Sequence, residues 1–172
     1  MASLLREKYP QERAESTKNV LTVLGRRKIS EESTEAETLL ITGSKAKEFA
    51  ADVTAVLTEV LQNGEAGTIF CNEKMKRYQL DEKINKAMSE NIDRLRGEAI
   101  LSLHALCDYE YSPHSKALVV LTVTNFNMGI YPDCENALSS LLHKEWQTPF
   151  LNGDIISAIL SRITSYIICL TN

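Results

Sequence analysis

Residues 117–126, ALVVLTVTNF, carry an apolar or β-branched side chain at almost every position. Val119, Val120, Thr122, Val123 and Thr124 are stiff about χ1 and favour an extended chain. A run of this kind must bond its backbone to other strands and bury its side chains, so a sheet has to be built around it. A second short run, ETLLITGS, reads as a strand by its length and by the Gly43 that stops it. Ser44 then suits a helix N-cap, and Phe49, Val53, Val56, Leu57, Val60 and Leu61 recur at three- and four-residue spacing until Asn63-Gly64.

The remaining elements are less sharply written. GTIFC and KRYQL flank NEKM, which predicts a β-hairpin over 68–80. After Asp81, the residues Ile84, Met88, Ile92 and Leu95 predict a helix ending near Gly97. EAILSLHALCDYEY alternates almost cleanly and is followed by turn residues, so 98–111 reads as a strand. One closing helix starts near Pro132-Asp133, with Leu138, Leu141, Leu142 and Trp146 inward. Another starts at Asp154, with Ile155, Ile159, Ile163, Tyr166 and Leu170 inward. The expected fold is therefore α+β: a small, mainly antiparallel sheet of four or five strands packed by about four helices. The alternative is an all-α bundle, reached if 98–111 and 117–126 are helical.

At 172 residues the chain fits one domain with a sizeable core. Residues 1–37 are polar, with one candidate helix around Ala14, Val20, Leu21 and Leu24, and they close on KISEESTEAE. They read as a charged N-terminal arm and linker, leaving 38–172 as the globular domain. Charge is unevenly divided along the chain. Residues 1–96 hold 16 of the 19 Lys and Arg against 16 acids, whereas 97–172 hold three bases against seven acids. The net charge of −4 excludes a generic polyanion binder, and any cationic surface belongs to the front half.

Cys71, Cys107, Cys134 and Cys169 form no C-x-x-C pair, and neither a secretory leader nor a glycosylation sequon is written in the chain. The expectation is an intracellular, cytoplasmic protein with reduced thiols. The apolar stretch IISAILSRITSYIICL is too short, and too broken by Arg162, to span a bilayer.

Candidate chemistry is sparse. Lys74, Lys76, Arg77 and Tyr78, extended by Lys83 and Lys86, offer cations and an aromatic for a phosphate chain with stacked bases. Arg26, Arg27 and Lys28 of the arm could join them. Glu73, Asp81 and Glu82 interleave with these bases and weaken the field, so a solvated tip competes with that reading. ITGSKAKE puts a Gly-Ser turn and Lys45 at a helix start, but the P-loop spacing is missing. His104, Cys107, Cys134 and His143 could make a zinc set only if 104 and 107 share a helix face. No nucleophile motif stands in the chain, and Asp108 with Glu110 would need a cleft to act as a pair. No catalytic residue, metal or cofactor is assigned, and the chain reads as a non-enzyme.

The function expected from these observations is a non-enzymatic protein–protein interaction or assembly module, expected to be oligomeric. Its partner is another protein or a second copy, met through the apolar C-terminal helices with Trp146 and Tyr166 as anchors. The alternative is an RNA- or DNA-binding protein using the cationic 74–86 segment and the basic arm.

Overall fold

A computed structural model describes residues 7–9, 14–29, 36–61, 68–70, 74–84, 88–90, 92–108, 117–124 and 133–170. Helix α1 (Ala14–Ile29) is followed by strand β1 (Glu37–Thr42), helix α2 (Ala46–Leu61), strand β2 (Thr68–Phe70), helix α3 (Arg77–Ile84) and strand β3 (Met88–Glu90). Two 3-10 turns, Ile92–Arg94 and Gly97–Ile100, lead into helix α4 (Leu101–Leu106). Strand β4 (Leu118–Val123), helices α5 (Cys134–Trp146) and α6 (Gly153–Ile163), and strand β5 (Tyr166–Cys169) complete the order.

The strands form one sheet in the order β2-β3-β4-β1-β5, and every pairing is parallel. Its three longer strands are adjacent: β1 pairs with β4 from Glu37↔Leu118 to Thr42↔Val123, and with β5 from Leu39↔Tyr166 to Thr42↔Cys169. The mainly antiparallel sheet expected from sequence is thereby overturned, and the all-α alternative falls with β4. The physical reason lies in the two best strands. β1 is buried along all six residues and β4 along five of six, so helices cover both faces. Parallel strands buried in that way are written as continuous apolar runs, not as alternating ones.

The strand order also decides which helices lie where. The step from β1 to β2 crosses the sheet in one direction, and the steps from β2 through β3 and β4 to β5 cross it in the other. With right-handed crossovers, α2 must then lie on the face opposite α3 to α6. The side chains agree. Leu39, Ile41, Val120 and Ile168 pack with Phe49, Val53 and Leu57 of α2 and with Leu21 and Leu24 of α1. Leu40, Val119, Leu121 and Val123 pack with Leu80, Leu103, Leu138, Leu142, Trp146, Ile156 and Ile159 on the other face.

Helix α1 covers part of the first core through Leu21 and Leu24. Tyr9 is buried there too, edge-on to Phe49 with ring centroids 4.9 Å apart, and its hydroxyl donates to Asp52 at 2.6 Å.

Four further expectations are corrected. KRYQL is the start of α3, not a hairpin arm. The Lys76 backbone N–H donates to the Gln79 side chain at 3.0 Å, Gln79 and Leu80 N–H return to the Lys76 carbonyl, and Leu80 is fully buried. The helix expected over 81–96 is broken, since Met88–Glu90 pairs as β3. Residues 97–106 are helical: the buried positions Ala99, Ile100, Leu103, Leu106 and Cys107 follow helical spacing, while Ala105 is exposed despite the apparent alternation. The last expected helix stops at Ile163, and Tyr166–Cys169 forms the edge strand β5.

At the carboxyl end of β1 the backbone is crowded. Gly43 has φ 128°, a region L side chains rarely adopt, and a Cβ there would stand 2.9 Å from Cβ of Leu170. Gly43 N–H donates to the Val123 carbonyl at 3.2 Å, and Leu170 N–H to the Thr42 carbonyl at 2.8 Å. Glycine lets the ends of β1, β4 and β5 close on one another before α2 begins.

The expected four reduced thiols are also corrected. Cys134 at the start of α5 is disulfide-bonded to Cys169 of β5, and Cys107 is free and buried. Cys71 lies outside the described residues.

Candidate functional site

The cationic segment was the first candidate, and α3 redistributes it. Lys74 lies in the turn before the helix, and Lys74, Lys76, Arg77 and Tyr78 are all exposed. From Arg77 the positions three and four residues on are Leu80, which is buried, and Asp81, whose carboxylate lies 3.7 Å from the Arg77 guanidinium. The described cations therefore do not line up as one stripe along the helix. The side chains of Lys83, Lys86 and Lys28 lie outside the described residues. Arg27 faces the domain: its Nη1 donates to the Tyr166 hydroxyl at 2.8 Å, and its Nε stands 3.5 Å from the buried Glu37 carboxylate. That arginine clamps α1 to β1 and β5. Arg26 is exposed.

In an open parallel sheet the carboxyl ends of the strands are the usual place for a ligand. Here Leu170 occupies the space above Gly43, and the Gly43 carbonyl accepts from Ala46 N–H at 3.1 Å, so the turn is filled by the protein itself. Ser44 and Lys45 are exposed at the helix start.

A cluster of titratable groups joins α4 to α6. Arg162 of α6 donates to Nε2 of His104, and its other terminal nitrogen lies 3.4 Å from the Asp108 carboxylate. Burial and the neighbouring Arg162 cation hold His104 below its usual pKa, against the opposing pull of Asp108. One turn on, burial pushes the Cys107 thiol up to about 11, against the Thr38 hydroxyl that donates to its sulfur at 3.4 Å. A thiol so protonated is not a nucleophile at neutral pH. With its Nε2 lone pair facing Arg162, His104 does not serve as the base for that thiol either.

The zinc set does not assemble. His104 and Cys107 do share a helical segment, but Cys134 is spent in the disulfide and His143 Nε2 meets the Ser157 hydroxyl at 3.1 Å. Among the described residues no three His, Cys, Asp or Glu side chains converge as metal ligands. Glu110, the partner once considered for Asp108, lies outside the described residues.

The two aromatic anchors are placed differently from expectation. Trp146 is fully buried, at the end of an α5 stripe formed with Leu138 and Leu142, and so belongs to the core. Tyr166 is half-buried and holds Arg27. Among the described residues of the C-terminal third the exposed aromatic is Phe150, which no helical period marks. Phe150 is 87% exposed between α5 and α6, and Ile155 in the first turn of α6 is 36% exposed. Its loop is tightly made. The Thr148 hydroxyl accepts from the N–H of Phe150 and Leu151, Thr148 and Leu151 exchange backbone bonds, and Leu151 is buried. Asn152 then caps α6 by accepting from Ile155 N–H at 3.0 Å. The available signal was TPFLN, in which an aromatic sits between a proline and a helix cap, off any helical period.

No known protein family matches this chain, and no characterised protein is detectably similar to it in sequence. Among the described residues no helix is long and apolar enough to cross a membrane.

Proposed function

We propose that this chain is a non-catalytic protein-interaction and assembly module whose contact surface centres on Phe150. The observation that carries the reading is an aromatic ring 87% exposed on a loop fixed by six hydrogen bonds to or within 148–152. An aromatic of this kind is a typical interface anchor, and a loop already held in shape loses little entropy on binding. Ile155, in the first turn of α6, is a second exposed apolar side chain close by in sequence. The wide apolar faces of α5 and α6 do not supply it, because they are spent on the core.

The partner is a second copy of the chain or another protein, and sedimentation at micromolar concentration together with pull-down tests both. Phe150→Ser is expected to weaken association by about 2 kcal/mol, roughly thirtyfold, with unchanged circular dichroism. Ile155→Ser should act in the same direction. Wild-type affinity in both variants would remove this surface from the interface, and a strict monomer that captures no partner would remove the function.

The Cys134–Cys169 bond supports work in an oxidising compartment in place of the reducing cytoplasm. Alkylation of the protein taken from its own cells should leave Cys134 and Cys169 unlabelled until a reductant is added. Labelling of both beforehand would place the chain in reducing surroundings.

A further inference from the structure

From the contact between α4 and α6 we infer that His104 is an acid-sensitive latch, holding the carboxyl end of α6 only while its imidazole is neutral. The argument begins with hydrogen inventory. An arginine can only donate, so the bond between Arg162 and His104 Nε2 requires a lone pair on that nitrogen and places the ring proton on Nδ1. Protonating Nε2 turns the acceptor into a second donor and sets an imidazolium against a guanidinium. The bond is lost, and a like-charge contact replaces it.

The surroundings limit what could offset that change. Asp108, at the end of α4, is the carboxylate acting on the ring, and it is already engaged by Arg162 at 3.4 Å. Among the described residues the other elements packed most closely against α4 are the Gly97–Ile100 turn and α3. Their described charged side chains are the exposed Glu98 and the mutually paired Arg77 and Asp81, and none of these acts on His104. Arg162 is 28% exposed and Asp108 18%, so solvent screens the repulsion only in part.

The sign follows from the depressed pKa. Between the folded and unfolded values the unfolded chain binds the extra proton, so stability rises with pH. The latch is fully closed above the ordinary histidine pKa of about 6.5 and is lost as pH falls through the folded value below it. What opens is the α4–α6 contact, one helical turn before β5 begins.

The test uses the full chain and amide hydrogen exchange corrected for intrinsic rates. Protection of residues 101–106 and 160–163 should fall in the wild type between about pH 7 and about pH 5, a range that spans histidine titration. In His104→Gln, whose side-chain carbonyl accepts from Arg162 but cannot titrate, protection should stay level. An equal fall in His104→Gln, or a level wild type, overturns the inference. A second measurement stands if that variant folds poorly. In an NMR titration, the His104 midpoint should lie lower in the wild type than in Arg162→Gln, and equal midpoints also overturn it.

Discussion

Cys134→Ser should cost about 4 kcal/mol of stability, from the loop-closure entropy of a cross-link spanning 35 residues. That loop contains α5, α6 and β5. β5 is an edge strand of four residues, held by its pairing to β1 and by this bond. Without the bond the unfolded chain gains freedom while the folded one keeps its contacts, so the loss falls on the equilibrium and not on the shape. For a chain of this size each kcal/mol moves the midpoint by about 2–4 °C, so the melting temperature should drop by roughly 8–16 °C. Urea and thermal unfolding of the wild type in excess reductant should reproduce the variant. A variant within about 1 kcal/mol of the oxidised wild type would show that the bond constrains little in the unfolded ensemble.

Trp146→Ala should be comparably severe, about 3–5 kcal/mol. The indole is fully buried beneath α5 among Leu138, Leu142 and the residues of α6, and its removal opens a cavity larger than its neighbours can fill. Trp146→Phe should lose clearly less. It leaves a smaller void, and the indole N–H that it removes finds no acceptor among the described residues. This pair of variants separates core from interface. Both should move the urea midpoint, and neither should change association measured well below the transition. A Trp146→Ala protein with wild-type stability and impaired binding would restore the tryptophan to the contact surface.

What could be read from the sequence, and what could not, follows from how far each residue's neighbours lie along the chain. β1, β4, α2 and the start of α5 were legible because their signals are local: continuous apolar runs, a three- and four-residue period, and the Asp133 cap that accepts from Asn136 N–H. The same runs also carried the parallel sheet. Neither ETLLIT nor LVVLTV leaves a polar face, and that argues for helices on both sides. The errors came where a short polar segment supports two periods. KRYQL can be an alternating strand or a helix start, and the Gln79 bond to Lys76 decides it. In LSLHAL the alternation is an accident of Ala105, small enough to stand exposed on a helix. Only Thr164 and Ser165, with no Gly or Pro, separate YIIC from α6, and its pairing with β1 makes it a strand. In the site, the Arg162–His104–Asp108 contact joins positions 58 and 54 apart, which no spacing rule reaches. Phe150 stands in a loop off any helical stripe, so no apolar period marks it.

The sheet order has a consequence for how the chain is made. β1 leaves the ribosome early, yet both of its neighbours, β4 and β5, are translated long afterwards. At roughly 5–20 residues per second, the stretch of about 125 residues between β1 and β5 takes roughly 6–25 s to emerge. Until β4 emerges, roughly 4–15 s after β1, Leu39, Leu40 and Ile41 have neither ladder partner, and α2 can shield only one side of them. The β5 edge is therefore the last part of the sheet to close, and until β4 arrives the nascent chain presents an unpaired apolar strand. Its yield should follow translation speed through the codons between β1 and β4 more closely than through those between β4 and β5.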